Sequence, residues 1–210
     1  MKNINNEYHK DKNSTLEDIN DESKKIATSL GIEDRVFAYP RRSCFGNLKD
    51  HKNTFERNPT TRLLNPASNH LGKISKKIVE KIWDVLREKL AVTQWKSTKD
   101  VITWFKGIEN KKSKKFVKFD IQNFYPSITE DLLDKALSLA SNYCDISEDD
   151  ITTIKACRKT ALFHENEVWI KKNNFDVAQG SYDGAEISEL IGIYVLHKIK
   201  EKFGNIQIGL

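Results

Sequence analysis

The side chains with most chemical promise sit in three short stretches far apart in the chain. In FVKFDIQNFYPSI, Phe116 to Ile128, a single carboxylate, Asp120, closes an apolar run, and the rings of Phe124 and Tyr125 follow just before Pro126. An ionised carboxylate between Phe119 and Ile121 needs a partner charge or a metal. A hard oxygen donor suits magnesium, which takes one or two protein carboxylates and leaves its other positions to water and phosphates. In AQGSYDG, Ala178 to Gly184, two glycines bracket a turn that enters a helix. Backbone N–H groups at such a turn favour an anion or a close-packed nucleotide. Arg62 in RLLNP, with Lys49 and Lys52 in LKDHK, places cations on a hairpin that would clamp a triphosphate, arginine being the better bidentate binder. Each has a plainer reading: a turn-forming Asp, an ordinary glycine turn, and solvated surface charge. His51 and His70 have no metal-like companions.

The elements that must hold these groups can be read from spacing. Asn47 to Gly72 is rich in Asn, Pro and Thr and reads as turns with a short hairpin. From Ser68, Leu71, Ile74, Ile78, Ile82, Val85, Leu86 and Leu90 recur at helical intervals. Ser97 caps a second helix carrying Val101, Ile102, Trp104, Phe105 and Ile108. Phe116 to Ile121 reads as a strand. Ser127 with Glu130 forms a capping-box pattern for a helix through Ala140. Ser147 caps another, running to about Phe163. Glu167 to Val177 reads as a hairpin turning at Asn173 and Asn174. A long helix carries Ile187 to Ile199, and Ile206 to Leu210 alternates like the beginning of a strand. The expected class is α+β, with a carboxylate at the C-terminal end of a strand.

Charge is distributed unevenly. Residues 1–48 hold 8 basic and 8 acidic side chains, residues 49–118 hold 18 and 7, and residues 119–210 hold 9 and 15. A basic middle beside an acidic last third suggests a polyanion held next to something that needs carboxylates. No apolar run approaches the roughly 20 residues of a bilayer span, so no membrane partner is expected. The expected divisions are a polar, partly disordered leader over 1–47, a basic segment over 48–115, and an acidic segment over 116–210. The three cysteines lack metal-ligand spacing, and their odd number argues against a disulfide framework. A reducing, intracellular compartment follows from that reading.

Taken together and in this order, these stretches resemble the reverse transcriptase domain of retroelements, over roughly residues 48 to 210. FVKFDIQNFYPSI resembles the family's first palm motif, which maps its metal-binding Asp onto Asp120 and its aromatic, five positions later, onto Tyr125. AQGSYDGAEISEL resembles the second motif, mapping Gln179, Gly180 and Ser181, with Ala178 where the family commonly has Pro. LKDHK through RLLNPASNHLGKISKKI is similar to the basic fingers segment, with Arg62 the best match for a triphosphate contact.

The resemblance implies a fingers–palm fold and RNA-directed DNA synthesis on a template and primer, with deoxynucleoside triphosphates and magnesium or manganese. The Ile121 carbonyl would add a second oxygen donor beside Asp120. Tyr125, with Phe124 beside it, would leave no room for a ribose 2′-hydroxyl. The family's aromatic-x-Asp-Asp turn has no counterpart in these 210 residues, so the chain by itself is expected not to polymerise. Two other readings are a non-catalytic nucleic-acid-binding remnant and an RNA-directed RNA polymerase; Tyr125 speaks against the latter.

Overall fold

The computed structural model describes residues 7–38, 42–50, 55–66, 70–90, 95, 97–118, 120–121 and 123–204. Among them are seven helices and two small antiparallel sheets, an α+β arrangement. The helices are α1 (Leu16–Ser29), α2 (His70–Lys89), α3 (Thr98–Gly107), α4 (Phe124–Ser127), α5 (Glu130–Ser141), α6 (Glu148–Ala156) and α7 (Gly184–Phe203). The strands are β1 (Tyr8–Asp11), β2 (Phe45–Leu48), β3 (Thr61–Leu64), β4 (Ala161–His164) and β5 (Glu167–Lys171).

The main core lies among α2, α5, α6 and α7. Val79, Ile82 and Leu86 meet Leu133, Ala136, Leu137, Ile154, Ile187, Leu190 and Ile191, with Phe175 and Val177 closing one side. Each large aliphatic side chain withdrawn from water here contributes about 1.5–3 kcal/mol. The expected stripe on α2 largely reaches this core, but Ser75 is also fully buried, because its hydroxyl donates to Asp183. Ser97 and Ser147 cap α3 and α6 as expected, each through a reciprocal box with the Asp three residues on.

The three-stranded sheet has the order β1-β5-β4. Period-two alternation divides its faces. Ala161, Phe163, Val168 and Ile170 face Leu16 and Ile19 of α1, while Leu162 and Trp169 join Tyr8, Cys44 and Leu63 on the other face. Within the stretch read as a polar, partly disordered leader lie β1 and α1. Thr15 and Asp18 form a capping box for α1, and β1 pairs Tyr8 with Lys171 and Asp11 with Val168.

Four expectations are corrected. Among the described residues of Phe116 to Ile121 none lies in a strand: Phe116, Val117 and Lys118 are exposed, and no described strand runs beside them. A β-prone run without a ladder partner gains nothing from its propensity. Ser127 does not cap the following helix. Buried Ile128 turns inward in an extended conformation, so Thr129 takes the capping position and accepts the Leu132 N–H at 3.2 Å. Helix α6 stops at Ala156 rather than near Phe163, and the hairpin turns at Glu165 and Asn166 rather than at Asn173 and Asn174. Both turn residues have positive φ, 49° and 65°, as a two-residue turn needs to match the strand twist. The strand expected over Ile206 to Leu210 lies outside the described residues.

Candidate functional site

Residues from all three chemically promising stretches line one cleft of about 810 Å³. Lys49 and Arg62 come from the β2–β3 hairpin. Asp120, Ile121, Phe124 and Tyr125 come from the segment leading into α4, and Gln179 from the turn before α7. The volume falls within the range of small-molecule sites, about 300–1,000 Å³. Lys52 lies outside the described residues. Gly180 and Ser181 sit in the turn behind Gln179 rather than on the cleft wall.

Local chemistry places each group. Arg62 pairs in register with Asn47, and it is the exposed residue of β3 that lines the cleft. Asp120 is exposed, in a chain segment whose next turn is opened by Asn123 in the left-handed region (φ 53°). The adjoining rings of Phe124 and Tyr125 meet edge to face, 6.4 Å between centroids, and both pack on the helical core. Tyr125 also leans on the start of α7, where a Cβ on Gly184 would lie 3.7 Å from Tyr125 Cε1. The same Cβ would be 2.7 Å from Ser181 Oγ and 3.0 Å from the Ala178 oxygen, so only glycine lets the turn fold this closely onto the helix. Ser181 fixes that turn by donating its hydroxyl to the Ala178 carbonyl at 2.8 Å.

The start of α7 is held from behind. Asp183 makes no side-chain cap. Its carboxylate is buried in an ion pair with Arg158 and accepts the Ser75 hydroxyl at 2.5 Å. The Arg158 Nε donates to the Ile154 carbonyl at 3.3 Å. Cys157 is enclosed beside this pair, and burial, followed by the Asp183 charge, pushes its thiol up to about 12.

The cleft also contains residues that spacing did not mark. Asp176, buried on the wall, receives the Tyr8 hydroxyl at 2.6 Å, Lys171 Nζ at 2.8 Å and the Thr160 hydroxyl at 3.2 Å. Burial, then the Asp176 charge, drives the Tyr8 phenol far above its ordinary range. Asn65, at the end of β3, is buried too and binds the Gln179 turn. Tyr8 stood in the polar leader, and Asp176 in a run read as a hairpin arm. Neither carried a signal of its own.

Asp120 and Ile121 both line the cleft, and the Asp120 carboxylate and the Ile121 carbonyl are the hard oxygen donors that a cation there could use. Among the described residues no group of three or more His, Cys, Asp or Glu side chains is assembled to hold a metal. Asp176 is already engaged by Lys171, Tyr8 and Thr160. An ion held there would have to take its remaining ligands from water or a bound molecule. No helix among the described residues is long and apolar enough to cross a membrane.

Comparison of the chain with protein-family models, with curated proteins and with solved structures gave no match.

Proposed function

We propose that this chain is the fingers–palm part of an RNA-directed DNA polymerase and that the cleft receives a deoxynucleoside triphosphate opposite a template base. The observation that carries the reading is the convergence of Lys49, Arg62, Asp120, Tyr125 and Gln179, drawn from segments up to 130 positions apart, on one cleft. The resemblance assigns these residues to one nucleotide, and nothing in their sequence spacing requires them to meet.

In this reading Arg62 and Lys49, with Lys52, neutralise the triphosphate, the guanidinium by paired N–H donors. Asp120 and the Ile121 carbonyl hold the divalent ion that accompanies the phosphates. When bound, magnesium or manganese supplies positive charge at the attacking and leaving oxygens of an in-line displacement. Tyr125, backed by Phe124 and Gly184, fills the space a ribose 2′-hydroxyl would need. Gln179 forms the floor beneath base and sugar, with Gly180 and Ser181 shaping the turn that presents it. The primer 3′-hydroxyl would be the nucleophile and pyrophosphate the leaving group.

The test is titration of the chain with a fluorescent deoxynucleoside triphosphate, with and without magnesium. Saturable, magnesium-dependent binding is expected. Arg62→Ala should weaken it about tenfold or more, the scale of a lost charge-assisted contact of about 1.5–3 kcal/mol. Asp120→Ala should remove the magnesium dependence. Wild type and both variants behaving alike would overturn the reading. Salt-sensitive binding of primer–template without magnesium-dependent nucleotide binding would instead identify a non-catalytic nucleic-acid-binding protein.

A further inference from the structure

The β2–β3 hairpin, which carries Lys49 and Arg62, belongs to neither the helical core nor the three-stranded sheet. Its ends meet the free edge of β4. At one end the Cys44 N–H donates to the Phe163 carbonyl at 2.7 Å. At the other end stands Asn65, three residues beyond Arg62 and only 3% exposed. Its Nδ2 donates to the Ala161 carbonyl at 3.0 Å, and its backbone N–H donates to the Gln179 carbonyl at 2.9 Å. Its own backbone oxygen lies where a Cβ on Gly180 would arrive at 2.8 Å, and Gly180 has a φ of +99°. One buried residue thus touches the cation-bearing hairpin, the sheet edge and the turn that presents Gln179.

We infer that Asn65 is a positioning residue: it sets the distance between the phosphate-facing cations of the hairpin and Gln179 in the turn before α7. The inference rests on the nucleotide-binding reading above and goes beyond it, because no motif assigns Asn65 a role. The chemistry selects this side chain. The Ala161 carbonyl at a sheet edge needs a donor. An aspartate of the same size would set a carboxylate against that carbonyl, and an alanine would leave it unpaired. Gly180 is the other half of the joint, since any side chain there meets the Asn65 backbone at a φ that L-residues rarely adopt. A rigid joint makes the contacts of Arg62 and Gln179 with one ligand interdependent, because each is correctly placed only if the other is.

Two measurements on the whole chain test this. The first is hydrogen exchange without nucleotide. Asn65→Asp, which keeps the volume but replaces the donor with a carboxylate facing the Ala161 carbonyl, should speed exchange of the β2–β3 amides about tenfold, leaving α2 and α7 unchanged. The second is a double-mutant cycle on deoxynucleoside triphosphate binding. Arg62→Ala and Gln179→Ala should be non-additive in the wild-type background and additive with Asn65→Asp. Asn65→Asp itself should raise the Kd about five- to tenfold.

Gly180→Ala, which displaces the joint from its other side, should reproduce both effects and serves if Asn65→Asp fails to fold. Unchanged hairpin exchange overturns the inference, as does an unchanged coupling in a folded variant. If the wild type binds no nucleotide, the functional reading fails and the exchange result alone decides whether Asn65 holds the hairpin.

Discussion

Tyr8 and Asp176 stand 168 positions apart, yet the phenol donates to the buried carboxylate at 2.6 Å. This contact fastens β1 to the cleft wall, alongside the pairing of β1 with β5. Tyr8→Phe leaves Asp176 its bonds to Lys171 and Thr160, so a loss of about 1–2 kcal/mol in urea unfolding is expected. Asp176→Ala strands the buried Lys171 ammonium and should cost about 3–5 kcal/mol. Equal losses would show that the carboxylate does not organise the cluster.

The Arg158–Asp183 pair makes a sharper prediction because both side chains are almost wholly buried. Asp183→Ala leaves an uncompensated guanidinium among α2, α6 and α7 and should destabilise by about 3–5 kcal/mol. The double substitution Arg158→Met with Asp183→Leu should recover most of that. Denaturant titration of the three proteins distinguishes this from simple additivity, in which the double variant would be the least stable.

Alkaline pH should weaken the fold through Cys157. Its folded value of about 12 stands above the ordinary 9.0. The native state therefore keeps a proton that the unfolded chain releases, and stability intact below pH 9 falls as pH rises toward 12. The contribution approaches about 1.4 kcal/mol per pH unit in that window. Tyr8, raised for the same reason, adds to the decline above pH 10. Cys157→Ala should be less stable at pH 8 but show a shallower loss between pH 9 and 11. Identical slopes would contradict the assignment.

Tyr125 governs sugar choice in this account. Tyr125→Ala should leave deoxynucleotide binding within a few-fold of wild type and strengthen ribonucleotide binding about tenfold, a gain of about 1.4 kcal/mol. Competition between matched ribo- and deoxynucleoside triphosphates measures it. A variant that still excludes ribonucleotides would show that another group reads the sugar, and a wild type that prefers them would favour an RNA-directed RNA polymerase.

How much of this was legible in the sequence depended on where the information resides. The caps at Ser97 and Ser147 and the apolar stripes of α2 and α7 are local patterns, and they survive folding. The errors arose where a distant partner decides. Phe116 to Ile121 has the composition of a strand, but no described strand lies beside it. Arg158, Thr160 and Ala161 look like a continuing helix until Asp183 buries the guanidinium and β5 supplies a ladder. Asn173 and Asn174 resembled a hairpin turn more than Glu165 and Asn166 do, yet the latter pair carries the φ values that close it. At the site, Asp120, Tyr125, Arg62 and Gln179 stood out by type and motif. Asn65, Tyr8 and Asp176 did not: Asn65 and Tyr8 act through contacts with residues about 100 or more positions away, and Asp176 joins Tyr8 to the nearer Thr160 and Lys171.

The central claim is that Asp120 and the hairpin cations share one nucleotide. Anomalous diffraction from a crystal of the chain soaked with manganese and a deoxynucleoside triphosphate tests it most directly. The account predicts a manganese peak bonded to Asp120, with triphosphate density reaching Arg62 and the sugar against Tyr125. An ordered nucleotide bound elsewhere, or manganese at other carboxylates with the Asp120 cleft empty, would contradict it.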